Sequence, residues 1–154
     1  MNRAEELISI MQEYLSDIRK IAGWSAETLG KKIGVTKQTI SNLENYKVNM
    51  TKMQYIAIRA VIEYEIRLVS KNSILERVID IIFCDNSKYS DEKKQNIKNA
   101  VNTIAAAPSG GLENVHLSVM ATAMIAPLGV VGNMGLHKYN SNLVLSWLEP
   151  IIND

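Results

Sequence analysis

The sequence predicts an all-helical protein, and three observations support this fold class. Apolar residues recur three or four positions apart, which is the period of a helix with one buried face. Serine, threonine and glycine stand where short helices would begin and end. The 154 residues are 47% hydrophobic and 21% charged, which is enough for a folded core and for one or two small domains. We therefore expect several helices around one buried core.

The first helix is predicted from a single apolar stripe. This stripe consists of Leu7, Met11, Leu15 and Ile18. The helix should end near Ala22 and Gly23, and Trp24 then leads into the next element. Because the stripe lies on one face, we expect that face to pack against the two helices that follow.

Residues 25–47 fit two short helices that cross at a tight turn. Gly30 has no side chain to keep the second backbone away, and Gly34 can adopt the positive φ that ends a helix. Ser25 and Thr36 each stand one residue before a helix, where a side-chain oxygen can accept a hydrogen bond from an unpaired amide. The inward positions of this pair are Leu29, Ile33, Val35, Ile40 and Leu43.

The outward face of the second short helix is polar and carries no acid. It consists of Lys37, Gln38, Ser41, Asn42 and Asn45. Glutamine and asparagine can bond adenine at two points, lysine can reach guanine or a phosphate, and serine can bond either kind of base. Five lysines stand around this face against Glu44. They are Lys31, Lys32, Lys37, Lys47 and Lys52. Such a surface is suited to the bases and phosphates of duplex DNA.

From about Leu15 to about Tyr64 the chain resembles the helix-turn-helix family of phage repressors, of the lambda repressor and Cro type. The motifs are L-x-x-I-R at 15–19 and I-G-V-T-K-Q-T-I-S-N-L-E-N at 33–45. The resemblance implies that Lys37, Gln38, Ser41 and Asn42 face the major groove. It also implies a structural ion pair between Arg19 and Glu44.

Two residues depart from the family pattern. Ala26 stands where many relatives carry a polar residue that contacts phosphate, and Tyr46 replaces the glycine that usually follows Glu-Asn. The second short helix, here called the reading helix, can therefore end in two ways. Either Asn45 takes the left-handed conformation, or the helix runs on by a turn. The full set of predicted DNA-binding residues is Ser25, Lys32, Thr36, Lys37, Gln38, Thr39, Ser41, Asn42, Asn45, Lys47 and Lys52.

Thr51 and Gln54 fit a capping box that opens a long helix running to about Val69. This helix has two apolar faces. The first face is Met53, Ala57, Ala60 and Tyr64, and the second is Tyr55, Ile58, Ile62, Ile66 and Val69. We expect the first face to close the DNA-binding core. The second face then needs a partner, either the next helix, with Leu75, Val78, Ile79 and Ile82, or a second copy of the chain.

The rest of the chain also has helical patterns. After a polar break at 85–90, Ser90 with Asp91 and Glu92 marks a helix start. Its stripe is Ile97, Val101, Ile104 and Ala105, and residues 107–111 stop it. The segment 114–137 carries no charge, but Pro127 and several glycines interrupt it, so we favour two short buried helices over a membrane span. A last helix would place Leu143, Val144, Trp147, Leu148 and Ile151 on one side.

No enzymatic or metal-binding pattern is visible. Cys84 is the sole cysteine and lies in an apolar run, where a buried thiol is expected. His116 and His137 lie far apart with no cysteine nearby, so we predict no metal, no cofactor and no enzyme. Met120, Met124 and Met134 are expected to be ordinary packing, with a pocket for a small apolar ligand as the alternative.

The sequence thus predicts a sequence-specific DNA-binding regulator, with repression favoured over activation. Residues 1–70 would form a five-helix DNA-binding domain, extending at most to 84, and 71–154 a smaller helical region for dimerisation or effector binding. A homodimer on a palindromic operator is expected, because one reading helix contacts too few base pairs for useful selectivity. The alternatives are an antitoxin-like protein or adaptor whose C-terminal helices bind a protein, and a membrane-tethered regulator. The acidic N-terminal segment argues against a signal peptide, so a cytoplasmic location is expected. Richness in isoleucine, asparagine and lysine favours an AT-rich bacterial or phage genome as the source.

Overall fold

The computed structural model describes residues 1–69, 73–83, 89–107 and 147–153. Within these ranges every regular element is helical, which confirms the predicted fold class. The helices are α1 (Arg3–Ile21), α2 (Ala26–Ile33), α3 (Lys37–Glu44), α4 (Lys52–Tyr64), α5 (Ser73–Phe83), α6 (Asp91–Ala106) and α7 (Glu149–Ile152). A π-helical turn, Glu65–Val69, directly follows α4. Among the described helices, none has the length and hydropathy that crossing a bilayer requires.

Several sequence predictions fall outside the described residues. They concern the thiol of Cys84, most of the polar break at 85–90, the stop after Ala107, the charge-free segment 114–137 with His116 and His137, the three methionines Met120, Met124 and Met134, and the positions Leu143 and Val144.

Helix α1 lies at the centre of the fold and contacts α3, α4, α5, α6 and α7. It begins with a capping box in which the Asn2 side chain accepts from the Glu5 amide and the Glu5 carboxylate accepts from the Asn2 amide. Its predicted stripe is confirmed, since Leu7, Met11, Leu15 and Ile18 are all at most 5% exposed. The helix ends before Gly23, which has a φ of +77°.

Helix α4 begins at the predicted capping box. The Thr51 hydroxyl accepts from the Gln54 amide, and the Gln54 side chain accepts from the Thr51 amide. Helical backbone continues to Val69, as expected, but the last turn is π-helical.

The assignment of the two faces of α4 was wrong. Met53 and Tyr64 on the first face are 80% and 56% exposed, whereas Tyr55, Ile58 and Ile62 on the second are fully buried. The second face closes the core because its large side chains remove far more apolar area from water than the two alanines of the first face. Helix α4 contacts α1 and α2, and its Tyr55 ring meets Phe83 of α5 edge to face at 6.4 Å and Trp147 at 6.1 Å.

The C-terminal helices share the core of the N-terminal ones. Leu75, Val78, Ile79 and Ile82 of α5 are buried as predicted. Helix α6 begins at Ser90, whose hydroxyl accepts from the Lys93 amide at 3.2 Å, which confirms the predicted start. Of the α6 stripe, Ile97, Val101 and Ile104 are buried, while Ala105 is only partly buried and Ala100 lies inside instead.

Two residues predicted for the last helix lie outside the helix that the structure describes. Trp147 and Leu148 lie in a turn, and α7 starts at Glu149. Pro150 explains this start, because its ring fixes φ for a first helical turn but has no amide to continue an earlier one. Ile151 is completely buried, and α7 contacts α1.

Candidate nucleic-acid interface

Helices α2 and α3 meet at a turn that depends on two glycines. A Cβ atom on Gly30 would lie 2.6 Å from the carbonyl oxygen of Val35, so only glycine allows the chain to pass this closely. Gly34 has a φ of +78°, and the amide of Val35 donates to the Gly30 carbonyl at 2.9 Å. Both glycine predictions are confirmed.

The two helices begin at the predicted caps. The Ser25 hydroxyl accepts from the Thr28 amide at 3.0 Å, and the Thr36 hydroxyl accepts from the Thr39 amide at 3.1 Å. Each cap also meets a second hydroxyl, with Ser25 Oγ 2.8 Å from Thr28 Oγ1 and Thr36 Oγ1 3.0 Å from Thr39 Oγ1. Helix α3 therefore has a fixed start, which determines the direction in which its side chains project.

The end of α3 differs from both endings considered for it. Asn45 keeps a φ of −97°, and Tyr46 itself takes the left-handed conformation with a φ of +54°. The Tyr46 amide donates to the Leu43 carbonyl at 3.2 Å, and the Lys47 amide donates to the Asn42 carbonyl at 2.9 Å. These two bonds form a Schellman motif, which places the left-handed residue directly after the cap. Tyrosine occupies that position at a cost of about 1–2 kcal/mol relative to an ordinary conformation.

An ion pair joins α3 to α1. The Arg19 guanidinium donates to both carboxylate oxygens of Glu44, at 2.6 and 3.1 Å, and to the Trp24 carbonyl at 2.9 Å. Each side chain of the pair is only 13% exposed. This two-point geometry fixes the angle between the helices and also keeps the Glu44 charge away from the exposed face of α3.

Gln12 was not among the predicted residues; it is 6% exposed and fixes the chain after α3. Its amide nitrogen donates to the carbonyls of Leu43 (3.0 Å) and Val48 (2.8 Å), and its oxygen accepts from the amide of Met50 (2.9 Å). Its position in the sequence could have revealed this role, because Gln12 lies on the same face of α1 as Leu15 and Arg19.

The polar face of α3 lies at the surface. Ile40 and Leu43 are fully buried, Lys37 and Gln38 are exposed, and Ser41 and Asn42 are partly exposed. The Gln38 amide nitrogen donates to the Asn42 side-chain oxygen at 2.8 Å. Asn45 donates to the Ser41 carbonyl at 2.8 Å, so it closes the helix and is exposed beside it.

This geometry agrees with a family comparison. Residues 15–64 match the helix-turn-helix family model. The N-terminal region is a helix-turn-helix domain. Comparisons with curated proteins and with solved structures gave no match. A helix-turn-helix domain of the lambda repressor and Cro type indicates a DNA-binding transcription regulator.

The net positive charge around the reading helix α3 is smaller than five lysines set against Glu44 alone would give. Glu27, which that count omitted, accepts from Lys31 at 2.8 Å on the surface of α2. The hydrogen bond and charge of Lys31 lower the pKa of Glu27, and the same contact raises the pKa of Lys31. Both residues stay charged at neutral pH, so Glu27 offsets one of the five lysines.

The remaining lysines keep their charge available. Lys32 lies over the Trp24 ring, with its ammonium 5.1 Å from the ring centroid. Within residues 1–69 and the other described ranges, Lys37, Lys47 and Lys52 form no ion pair. They stand at the start of α3, in the turn after it and at the start of α4. All four are exposed.

The described part of the helix-turn-helix domain and its neighbours contains no cluster of histidine, cysteine or acidic residues that could hold a metal ion. The predicted DNA-binding residues occupy the caps and outward faces of α2, α3 and α4 and, in the case of Lys47, the turn between α3 and α4. Of these, only Thr39, Ser41 and Asn42 are partly buried, and the others are exposed.

Proposed function

We propose that this protein is a sequence-specific transcriptional repressor that binds DNA as a homodimer on a palindromic operator. The observation that carries the proposal is the exposed face of α3, which presents lysine, amide and hydroxyl groups and no acid. The one acid of α3, Glu44, is held by Arg19. We propose no enzymatic activity and a cytoplasmic location.

The proposed contacts fall into two groups. Lys37, Gln38, Ser41 and Asn42 read base edges in the major groove, where amide groups favour adenine and lysine favours guanine. The second group holds phosphates and sets the register of the protein on the duplex. It consists of Ser25, Lys32, Thr36, Thr39, Asn45, Lys47 and Lys52.

A homodimer places two reading helices about 34 Å apart on one side of the duplex. The first face of α4 is the surface that we propose for the contact between the two copies. Met53 and Tyr64 of α4 and Leu68 of the π-helical turn that follows are 80%, 56% and 72% exposed, whereas Tyr55, Ile58 and Ile62 of the second face are already buried in the core. Residues 1–70 would then form the DNA-binding part with this contact on its surface, and residues 71–154 the effector part.

Selection of bound DNA from a random pool with the full-length chain tests the proposal. An inverted repeat should emerge, and gel shifts on the selected site then compare variants. Gln38→Ala and Asn42→Ala should weaken specific binding by roughly 5- to 100-fold and leave non-specific binding nearly unchanged. Lys47→Ala should weaken both and reduce the salt dependence.

Asn102→Ala is the matched control, because Asn102 is exposed on α6, away from α3. It should bind as the unaltered chain does. Equal losses for Gln38→Ala, Asn42→Ala and Lys47→Ala would contradict base reading, and a single unrepeated site would contradict the homodimer.

The proposed contact between copies has a separate test. Met53→Ser and Leu68→Ser change exposed side chains, so both variants should fold. Each should shift sedimentation from dimer towards monomer. Val48→Ser, an exposed apolar residue outside α4, should not change the sedimentation. A dimer unaffected by Met53→Ser and by Leu68→Ser would place the contact elsewhere.

A further inference from the structure

Two side chains on the outward face of α3 are hydrogen-bonded to each other. Gln38 and Asn42 stand one helical turn apart, and the Gln38 amide nitrogen donates to the Asn42 side-chain oxygen at 2.8 Å. The backbone beneath them is fixed, because the Thr36 hydroxyl caps the start of α3 and the Asn42 carbonyl accepts from the Lys47 amide. Since Gln38 is exposed and Asn42 partly exposed, the two amides form one unit at the surface, here called the Gln38–Asn42 pair.

The bond within the pair decides which of its groups are left for a ligand. Within the described ranges, the Gln38 side-chain oxygen and the Asn42 side-chain nitrogen make no hydrogen bond of their own. The pair therefore presents one acceptor, the Gln38 oxygen, beside one donor, the Asn42 nitrogen. If both amides were reversed, the Asn42 oxygen would accept and the Gln38 nitrogen would donate, so the pattern of one acceptor beside one donor would be the same.

Adenine has the complementary pattern in the major groove. Its ring nitrogen accepts and its amino group donates, whereas guanine offers two acceptors, cytosine one donor, and thymine one acceptor with a methyl group. The joined atoms of the pair are 2.8 Å apart, which is less than the rise of about 3.4 Å between successive bases of a strand. The pair is therefore matched to one base and not to two neighbouring ones.

We infer that Gln38 and Asn42 read a single adenine in each half of the operator as one unit, with the bond between them kept in the complex. Both side chains are then ordered by each other before DNA is bound. Separate contacts to two bases would require this bond to break and both side chains to be ordered anew. The inference rests on the proposed function, because it names the base that the proposed reading face takes.

A double-variant cycle on the full-length chain tests the inference. Gln38→Ala, Asn42→Ala and the double variant are titrated by gel shift against the selected site and against sites in which each base pair is replaced in turn. Both single variants should lose discrimination at the same A·T pair, by about 5- to 100-fold. The double variant should lose no more than about twofold beyond the larger single loss, because either change already removes the unit. All three variants should fold, because alanine is favourable on the surface of a helix.

Helix α6 provides a matched control pair. Gln95 donates to Asn99 at 3.0 Å with the same spacing of four residues, and both side chains are exposed. Gln95→Ala, Asn99→Ala and their double variant remove the same kinds of group from a helix outside the helix-turn-helix domain. They should bind every site in the set as the unaltered chain does.

The possible outcomes separate this inference from the proposed function. Losses at two different base pairs, or a double loss equal to the product of the single losses, would overturn joint reading and leave sequence-specific binding in place. Unchanged discrimination in either single variant would do the same. An unaltered chain that prefers none of the sites would overturn both the inference and the proposed function.

Discussion

The two short helices of the helix-turn-helix domain end in the same left-handed backbone conformation but on different residues. After α2 the residue is Gly34, with a φ of +78°, and after α3 it is Tyr46, with a φ of +54°. Glycine ends α2 at a crossing where Gly30 already leaves no room for a side chain. The end of α3 is exposed, and it is held from the other side by Gln12 and Arg19 of α1. Local sequence thus fixes the first ending, and tertiary contacts fix the second.

The largest expected effect comes from removing the support behind the α3 ending. Gln12→Leu leaves the Val48 carbonyl and the buried Met50 amide without this partner, while the Leu43 carbonyl keeps its bond from the Tyr46 amide. Each lost buried partner costs about 1–3 kcal/mol, so we expect a loss of about 4 kcal/mol in the free energy of unfolding. Urea denaturation measures it. Gln95→Leu, at an exposed glutamine of α6, should change stability by less than about 0.5 kcal/mol. Similar losses in both variants would show that α1 does not hold the ending.

The next effect tests the ending fixed by local sequence. Gly30→Ala places a methyl group 2.6 Å from the Val35 carbonyl oxygen, a backbone atom that cannot move alone. Overpacking should cost about 3 kcal/mol, and alanine regains about 1 kcal/mol of helix propensity. We therefore expect the free energy of unfolding to fall by about 2 kcal/mol. Thermal unfolding followed by circular dichroism measures the loss.

Gly34→Ala is the comparison for that variant. A Cβ atom at Gly34 meets nothing within 4 Å, so only its φ of +78° opposes the change. We expect Gly34→Ala to lower the free energy of unfolding by about 1 kcal/mol, measured by the same thermal unfolding. A larger loss at Gly34 than at Gly30 would mean that backbone conformation, rather than close approach, limits the turn.

The smallest expected change in stability is an increase, and it comes from replacing Tyr46. Tyr46→Gly relieves about 1–2 kcal/mol of left-handed strain but gives up about 0.5–1 kcal/mol of backbone entropy, so it should stabilise the fold by about 0.5–1 kcal/mol. Val48→Gly, in the same loop without positive φ, should destabilise slightly. Urea midpoints for the two variants provide the test. A loss of stability in Tyr46→Gly would show that contacts of the 59% exposed tyrosine outweigh the strain.

Much of the helix-turn-helix domain was predictable because its determinants are local. Ser25, Thr36 and Thr51 bond to amides three residues away, and Gly34 needs only its own backbone freedom. The apolar stripe of α1 is unambiguous because that helix has one continuous apolar face. The exposed face of α3 follows by elimination once Ile40 and Leu43 turn inward.

Predictions failed where the local sequence allowed two arrangements or carried no motif. Both faces of α4 have helical periodicity, so the buried one was decided by what packs against it, Phe83 of α5 among others. Gln12 carries no local motif, and its role appears only when residues 31 to 38 positions later in the chain come within hydrogen-bond distance.

The sequence by itself determined that the chain is helical, where its short helices begin, and which residues α3 can present to DNA. Caps, periodicity and glycine conformations involve residues within a few positions of one another, so their energies can be evaluated along the chain. Tertiary structure alone decided which face of α4 is buried and how Tyr46 ends α3. Those outcomes depend on contacts between residues far apart in sequence, and their energies arise only when distant helices meet.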